Sequence, residues 1–539
     1  MYARTIEKLT EMLRDVKSKM CQAGLEWNVK KCKYVNMIKG KKKESQEKID
    51  ISEDFKLETL KENEMYKFLG VPESTSHDTK GLVEELMKLI KQRGNIIWSS
   101  PLSDFNKVLA SNLFINSVCE YYFWSEQFNI TDIREMDVTF RKVLNRNHVK
   151  HPQMINDVLY LSRKNGGRGL RNFENSYKIV RISSIVKVMS SKDPRMKMVA
   201  KFCQICREKG RKSILTEAIR FSKDFGLTIE IKDDGVKLTS SDGNEIEGQR
   251  TKHFMKAKSE ARYLTTITNS TWQGLTYQCR INDEYLIKSA CYNWLTKWKY
   301  ADVQIINDIQ SIYCQVVKTR TYELIRYGDN NLSTICRMCK KNVESVRHIL
   351  SSCEKFLPTD YKNRHDDAFK CIFFQLLHNY GFIDNIPPWY SKVKVKPIYE
   401  NENVSIFWDI PEYTGDMEEN DLNIKRPDGK LILHSERVVF VLENTVPWIT
   451  NRETKLIEKE TKYEGVLRNL KITYPDYKVK QITFIMDALG GYSAHLRSSL
   501  KDLFVEKKQV DKIIFNVQKV CLHFAVRIIN KFKLTVSLN

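Results

Sequence analysis

Asp428 and Glu443 lie in a stretch that alternates strand-like and helix-like patterns. Carboxylates held on neighbouring strands are what metal-assisted phosphodiester hydrolysis needs, because hard cations bound between them polarise the phosphate and activate water. Asp428 follows Arg426 and Pro427 and opens a hairpin whose second half, Val438 to Leu442, is apolar enough to run through the centre of a sheet, with Glu443 at its end. A carboxylate there is costly unless it is solvated or bound to metal. The next helix brings Lys459, Lys462 and Tyr463 within one turn, so either lysine could offer an ammonium to the water or the phosphate. The plain alternative is a solvated helix face.

A second constellation precedes the first. Cys336 and Cys339 have the two-residue gap of the hairpin half of a tetrahedral site, and His348 and Cys353 complete four ligands for Zn²⁺. With no open coordination position, such a site is structural, and its binding energy helps to fold the local loop. Cys203 and Cys206 repeat the spacing, but His253 and Cys279 are too far downstream to close a site, and the apolar context reads as a helix with packed thiols.

These groups sit in a strongly basic chain of 539 residues with 89 Lys and Arg against 67 Asp and Glu, a net charge of +22. Such a surplus favours a polyanionic partner, nucleic acid foremost. The length suggests three or four domains. No apolar run reads as a membrane span, and residues 1–30 form a charged amphipathic helix rather than a secretory signal, so an intracellular protein is expected. Thirteen cysteines without framework spacing point to thiols and metal ligands, not disulfides.

Helical spacing of Ile6, Leu9, Leu13, Val16 and Met20 predicts a first helix stopped by Gly24. Residues 26–35 and 66–71 read as strands joined by a Lys-rich loop over 39–48, and residues 80–150 as helices with Leu82, Leu86, Leu89, Ile90 and Ile97 on one face. Val158 to Leu161 is strand-like before the glycine-rich turn at Gly166, Gly167 and Gly169. A hairpin is expected over 227–246, turning at Asp242-Gly243-Asn244. After an irregular acidic segment at 411–422 come strands at 430–434 and 437–443, a helix at 452–470, a strand at 479–487 and two final helices.

The run from Gly24 to Cys32, then Glu64 to Gly70, then Leu159-Tyr160 with Gly166 to Leu170, resembles the back half of the reverse transcriptase of non-LTR (LINE-type) retrotransposons. The knuckle, Arg364-His365, Arg426-Pro427-Asp428, Glu443 with Thr445 to Pro447, and Lys462-Tyr463 resemble the C-terminal part of the subgroup carrying a restriction-like endonuclease. The resemblance implies a multidomain α+β protein. Residues 1–78 would end a reverse-transcriptase palm, 79–170 form a helical thumb, 171–330 a mostly α connector with a hairpin, 331–380 a CCHC zinc knuckle and basic helix, and 381–539 an α/β nuclease of the PD-(D/E)xK type. Asp428 and Glu443 would then bind Mg²⁺ or Mn²⁺. Thr445 stands where a simple motif has lysine; the family moves that lysine to the next helix, which slightly favours Lys462 over Lys459. The polymerase carboxylates are expected upstream of Met1, so this chain would nick target DNA for target-primed reverse transcription without polymerising by itself.

Nucleic-acid contacts are expected from Lys30, Lys31 and Lys33, from Arg168, and from Arg364 and His365. The implied partners are target DNA and element RNA, with no membrane and no small-molecule substrate, and the implied location is the nucleus after cytoplasmic assembly on RNA. The alternative is a non-catalytic nucleic-acid-binding remnant of a retrotransposon.

Overall fold

The computed structural model describes residues 1–539 except 40, 44–47, 54, 62–63, 65, 69–70, 74–78, 233–234, 329–330, 415–423 and 539. Most of the expected acidic segment, 415–422, and part of the strand at 66–71 therefore lie outside the described residues, while Glu412–Tyr413 pairs antiparallel with Ile424–Lys425. The architecture is mixed α+β, with many helices and several small sheets.

The first helix, Ile6–Gln22, is capped by Thr5, whose hydroxyl accepts from the Lys8 amide, and it ends before Gly24 at φ 72°. It packs on a three-stranded sheet, Lys33–Tyr34 parallel to Phe55–Thr59, which pairs antiparallel with Ile49–Ser52. This corrects the strand expected over 26–35. A 3₁₀ turn at Val29–Lys31 changes the parity of the chain, so that Trp27, Val29, Cys32 and Tyr34 all reach one small core around Phe55 and Leu57. A continuous strand would have sent two of them to the other face. The strands from Ile49 onward begin at the end of what had read as a polar loop.

The helical region follows the expected periodicity, with Leu82, Leu86 and Ile90 buried along Thr79–Ser99. Val158 to Leu161, however, belongs to a short helix, Asp157–Tyr160, not a strand. The glycine turn folds back over it: the Arg168 and Leu170 amides donate to Val158 and Leu159 carbonyls at 2.8 and 3.0 Å, and a Cβ on Gly167 would lie 2.0 Å from the Leu161 oxygen. The later hairpin pairs Leu227–Lys232 with Gly235–Ser240, so Asp242-Gly243-Asn244 does not join its strands but makes a tight turn after the second of them.

Asp137 is buried and accepts from the Phe173 and Glu174 amides at 3.1 and 3.2 Å, and from Asn172, at the start of the helix Phe173–Met189. Burial pushes its carboxyl up to about 6, against the pull of those amides. Asp137→Ala leaves these buried donors without a partner and is expected to destabilise the protein by about 2–3 kcal/mol in denaturant unfolding. A loss below ~0.5 kcal/mol would show that water replaces the carboxylate.

The C-terminal sheet has five strands in the order Ile398–Glu400, Val404–Trp408, Gly429–Leu433, Val438–Thr445, Lys478–Ile485. The first four pair antiparallel and the last pair is parallel, which requires a crossover; the helices Arg452–Lys462 and Glu464–Thr473 supply it. The expected single helix over 452–470 is broken where the Tyr463 ring turns into the interior. Val438–Thr445 is buried on both faces. Val439 and Val441 meet Tyr463, Val466 and Leu470, whereas Phe440 and Leu442 join the main core with Phe369 and Phe373 of the helix Lys362–Asn379. One buried apolar cluster runs from Leu82 through the knuckle to Phe532. The final helix, Lys507–Leu538, is long and apolar enough to cross a bilayer by those criteria alone, yet 67% of its most apolar window is buried inside the protein.

Candidate functional site

Cys336 and Cys339 flank a tight turn in which Lys340 adopts φ 60° and donates its amide to the Cys336 carbonyl at 2.9 Å. His348 lies on the short helix Val346–Ser351, capped by Ser345, and Cys353 follows that helix. The four ligand atoms lie within 4.8 Å of one another, and Cys339 Sγ is 3.3 Å from His348 Nε2. Zn–S and Zn–N bonds of about 2.3 and 2.0 Å give tetrahedral edges of roughly 3.5–3.8 Å, close enough to the spacing here that the donor set fits a metal such as zinc. Ser352 Oγ stands 3.3 Å from His348 Nδ1, which leaves Nε2 for the thiols. Burial pushes the Cys353 thiol up to about 12. Glu344, unremarked in the sequence, is fully buried and braces the turn by accepting from the Arg320 and Arg337 amides at 2.9 and 2.7 Å.

The register Gly429↔Leu442 sets Asp428 opposite Glu443 across the antiparallel pair, at the end of the sheet. Their partners differ. Asp428 Oδ2 accepts from the Asn444 amide at 2.7 Å and lies 3.1 Å from His365 Nε2. Glu443 is buried; Oε1 pairs with the Lys459 ammonium, while Oε2 makes no well-formed hydrogen bond, although the Tyr463 hydroxyl, which donates to the Arg426 carbonyl, is near enough to favour the charged carboxylate. Burial first, and then the Asp428 charge, push the Glu443 carboxyl up, and Lys459 opposes both. Asp428 lines a cleft of about 510 Å³ with Lys362, His365, Asp366, Asp409 and Arg426; Glu443 is not among its lining residues.

The structure gives the contact with Glu443 to Lys459, not to Lys462, which sequence had slightly favoured. Lys462 Nζ donates to Tyr463 Oη at 2.8 Å and sits 4.6 Å from the ring centroid; burial and then Lys459 push its amine down. Tyr463 Oη donates to the Arg426 carbonyl at 3.0 Å, tying the helix break to the residue two before Asp428. Gln481, which sequence reasoning missed, donates to the Lys459 carbonyl at 3.0 Å and anchors the last turn of that helix to the neighbouring strand.

His365 belongs to this site rather than to an open binding face. Burial alone would lower its pKa, but hydrogen bonds to Asp366 and Asp428 push it up to about 10, so the imidazolium bridges two carboxylates at neutral pH. Arg364 is a correction. It is 3% exposed, and its guanidinium donates to the Leu350 carbonyl at 2.8 Å and the Val446 carbonyl at 3.3 Å, bracing the knuckle against the strand end. Arg168 is likewise interior, paired with the buried Asp104. Neither can reach nucleic acid. Lys33 is neutralised by Glu58 at 2.9 Å, Lys31 is exposed, and the side chain of Lys30 lies outside the described atoms.

No protein-family model matches the chain, and no curated protein matches it significantly.

Proposed function

We propose that the chain binds nucleic acid and nicks DNA with the help of a divalent metal, as the C-terminal part of a non-LTR retrotransposon reverse transcriptase with a zinc knuckle and a PD-(D/E)xK-type nuclease. One observation carries this reading: Glu443 keeps a buried carboxylate oxygen without a well-formed hydrogen bond at the end of a central strand, opposite Asp428 and against Lys459. An orphaned oxygen of that kind is expensive unless a cation takes it. The donor set suits Mg²⁺ or Mn²⁺, which prefer carboxylate oxygen, with Asp428 and Glu443 as ligands. When bound, the metal supplies Lewis-acid stabilisation of the phosphate and lowers the pKa of water. His365 orients the Asp428 carboxylate, Lys459 holds Glu443 and can hand an ammonium to the nucleophile or the phosphate, and Lys362 and Arg426 line the cleft with positive charge for the backbone. The zinc knuckle braces the helix that carries His365.

The test is nicking of supercoiled plasmid in Mg²⁺ or Mn²⁺. Wild type is expected to convert supercoiled to open-circular DNA, and Asp428→Ala to lose that activity; equal nicking by the variant would reject the assignment. A second reading, a retrotransposon remnant that binds without cutting, draws support from the ion pairs that already occupy both carboxylates. It predicts salt-sensitive DNA binding with no cleavage in either metal.

A further inference from the structure

Beyond the carboxylate cleft, the helix Lys362–Asn379 borders a second one of about 420 Å³ on another of its faces, closed by the coil at Trp389–Lys392 and by the last helix. Its character differs from that of the first. Trp389 forms an aromatic wall, edge-on to His523 at 5.7 Å and to Tyr390 at 5.5 Å, with the Lys519 ammonium 5.2 Å from its ring centroid. Tyr390 is 69% exposed at the lip. Cations outnumber carboxylates around these rings: Asp367 lines the cleft but pairs with Lys370 at 2.9 Å, and Arg527 pairs with Asp360 at 3.2 Å. Lys392 and Arg527 line the cleft, and the coil continues as Lys392-Val393-Lys394-Val395-Lys396, with all three lysines exposed. Lys519 is half-buried, and no carboxylate pairs with it among the described residues; its charge rests on the Trp389 and Phe515 rings alone. Lys519 is not itself a lining residue of the cleft, so its ammonium adds positive potential beside the aromatic wall rather than a direct contact.

Exposed aromatic surface beside a surplus of cations, with Lys392 free of any carboxylate partner among the described residues, is the composition of a site that stacks bases and follows a phosphate backbone, and it suits a single strand, because a duplex hides its base faces. We infer that this cleft binds single-stranded DNA, with a base against Tyr390 and Trp389 and the backbone on Lys392 and Arg527. The inference rests on the nucleic-acid reading above and adds to it a seat for an unpaired strand on the same helix that presents His365 to Asp428.

Fluorescence anisotropy with a labelled oligothymidylate, in chelator-free buffer without added divalent metal, tests it on the full chain. Tyr390→Ala is the informative variant, since its exposed ring leaves the fold intact, whereas Trp389 also packs against Trp298 at 5.9 Å. Tyr390→Ala is expected to weaken oligothymidylate binding about ten-fold and to leave a duplex of the same length unaffected. Lys392→Ala is expected to reduce the log–log salt slope by about 0.7. Unchanged oligothymidylate affinity in Tyr390→Ala, or an equal loss on duplex, overturns the assignment. Tighter binding of oligouridylate than of oligothymidylate, lost in the same variant, would give the cleft to RNA and overturn its assignment to DNA. Plasmid nicking by the wild-type chain in Mg²⁺ or Mn²⁺ is scored alongside as a separate readout. A chain that shows Tyr390-dependent binding but never nicks plasmid therefore rejects the nuclease reading and keeps the cleft.

Discussion

Glu443→Gln is expected to slow metal-dependent nicking on the order of 10³-fold while changing folding stability by no more than about 1 kcal/mol. The rate effect follows from the several kcal/mol that a correctly held cation contributes to phosphate chemistry, at 1.36 kcal/mol per tenfold. The stability effect follows from linkage. A carboxyl whose folded pKa is raised above its ordinary 4.5 costs the native state stability as pH climbs above that ordinary value, and the amide removes that cost. Against this gain stands the loss of the Lys459 partner, but Lys459 is partly exposed and can turn its ammonium to water. A residue kept only for packing would show the reverse pattern, with stability lost and any activity falling in proportion. Plasmid nicking time courses beside urea unfolding separate the two cases, and destabilisation by several kcal/mol would assign Glu443 a structural role. The same assay ranks the lysines: Lys459→Met is expected to cost about 10²-fold and Lys462→Met distinctly less, because only Lys459 reaches the carboxylate.

That ranking illustrates what sequence could and could not supply. The knuckle was readable because its four ligands are close in the chain and their spacing alone closes a site. The opposition of Asp428 and Glu443 was readable too, since a hairpin with an apolar second strand fixes its own register. Choosing between lysines three residues apart required the phase of the helix Arg452–Lys462, which is set by its anchoring through Gln481 and by the break at Tyr463. Arg364 and His365 show the same difficulty at closer range. Neighbours on a helix point about 100° apart, so one enters the core while the other meets Asp428, and nothing local to the pair says which. Val158 to Leu161 was misread for a related reason: a short apolar run has no period, and the folded-back glycine loop that buries it lies outside any local window.

Removing the metal from the knuckle is expected to lower Tm by at least about 10 °C, with recovery on adding zinc and not magnesium. Structural zinc contributes on the order of 10 kcal/mol to folding small domains; with an unfolding entropy of about 2.1 cal/mol/K per residue, a chain of 539 residues shifts by roughly 1 °C per kcal/mol, so the full contribution gives a shift of about this size. The effect should not stay local. Val346, Ile349, Leu350 and Phe356 around the ligands belong to the main core, and Tyr361 Oη donates to the Ile349 carbonyl at 2.7 Å while accepting from the Cys353 amide at 3.1 Å. Arg364 then links Leu350 of the knuckle to Val446, two residues past Asn444, whose amide holds Asp428. Loosening the knuckle should therefore release the strand end that carries Glu443 and holds Asp428 through the Asn444 amide. Cys353→Ser is expected to reproduce the shift, and Cys203→Ser, on a helix without the other two ligands, to leave metal content unchanged. Elemental analysis of the purified chain beside thermal scans with and without chelator provides the check. Less than one equivalent of zinc together with an unmoved Tm would mean that the thiols are held by packing alone, and that the brace between the knuckle and Asp428 needs no metal.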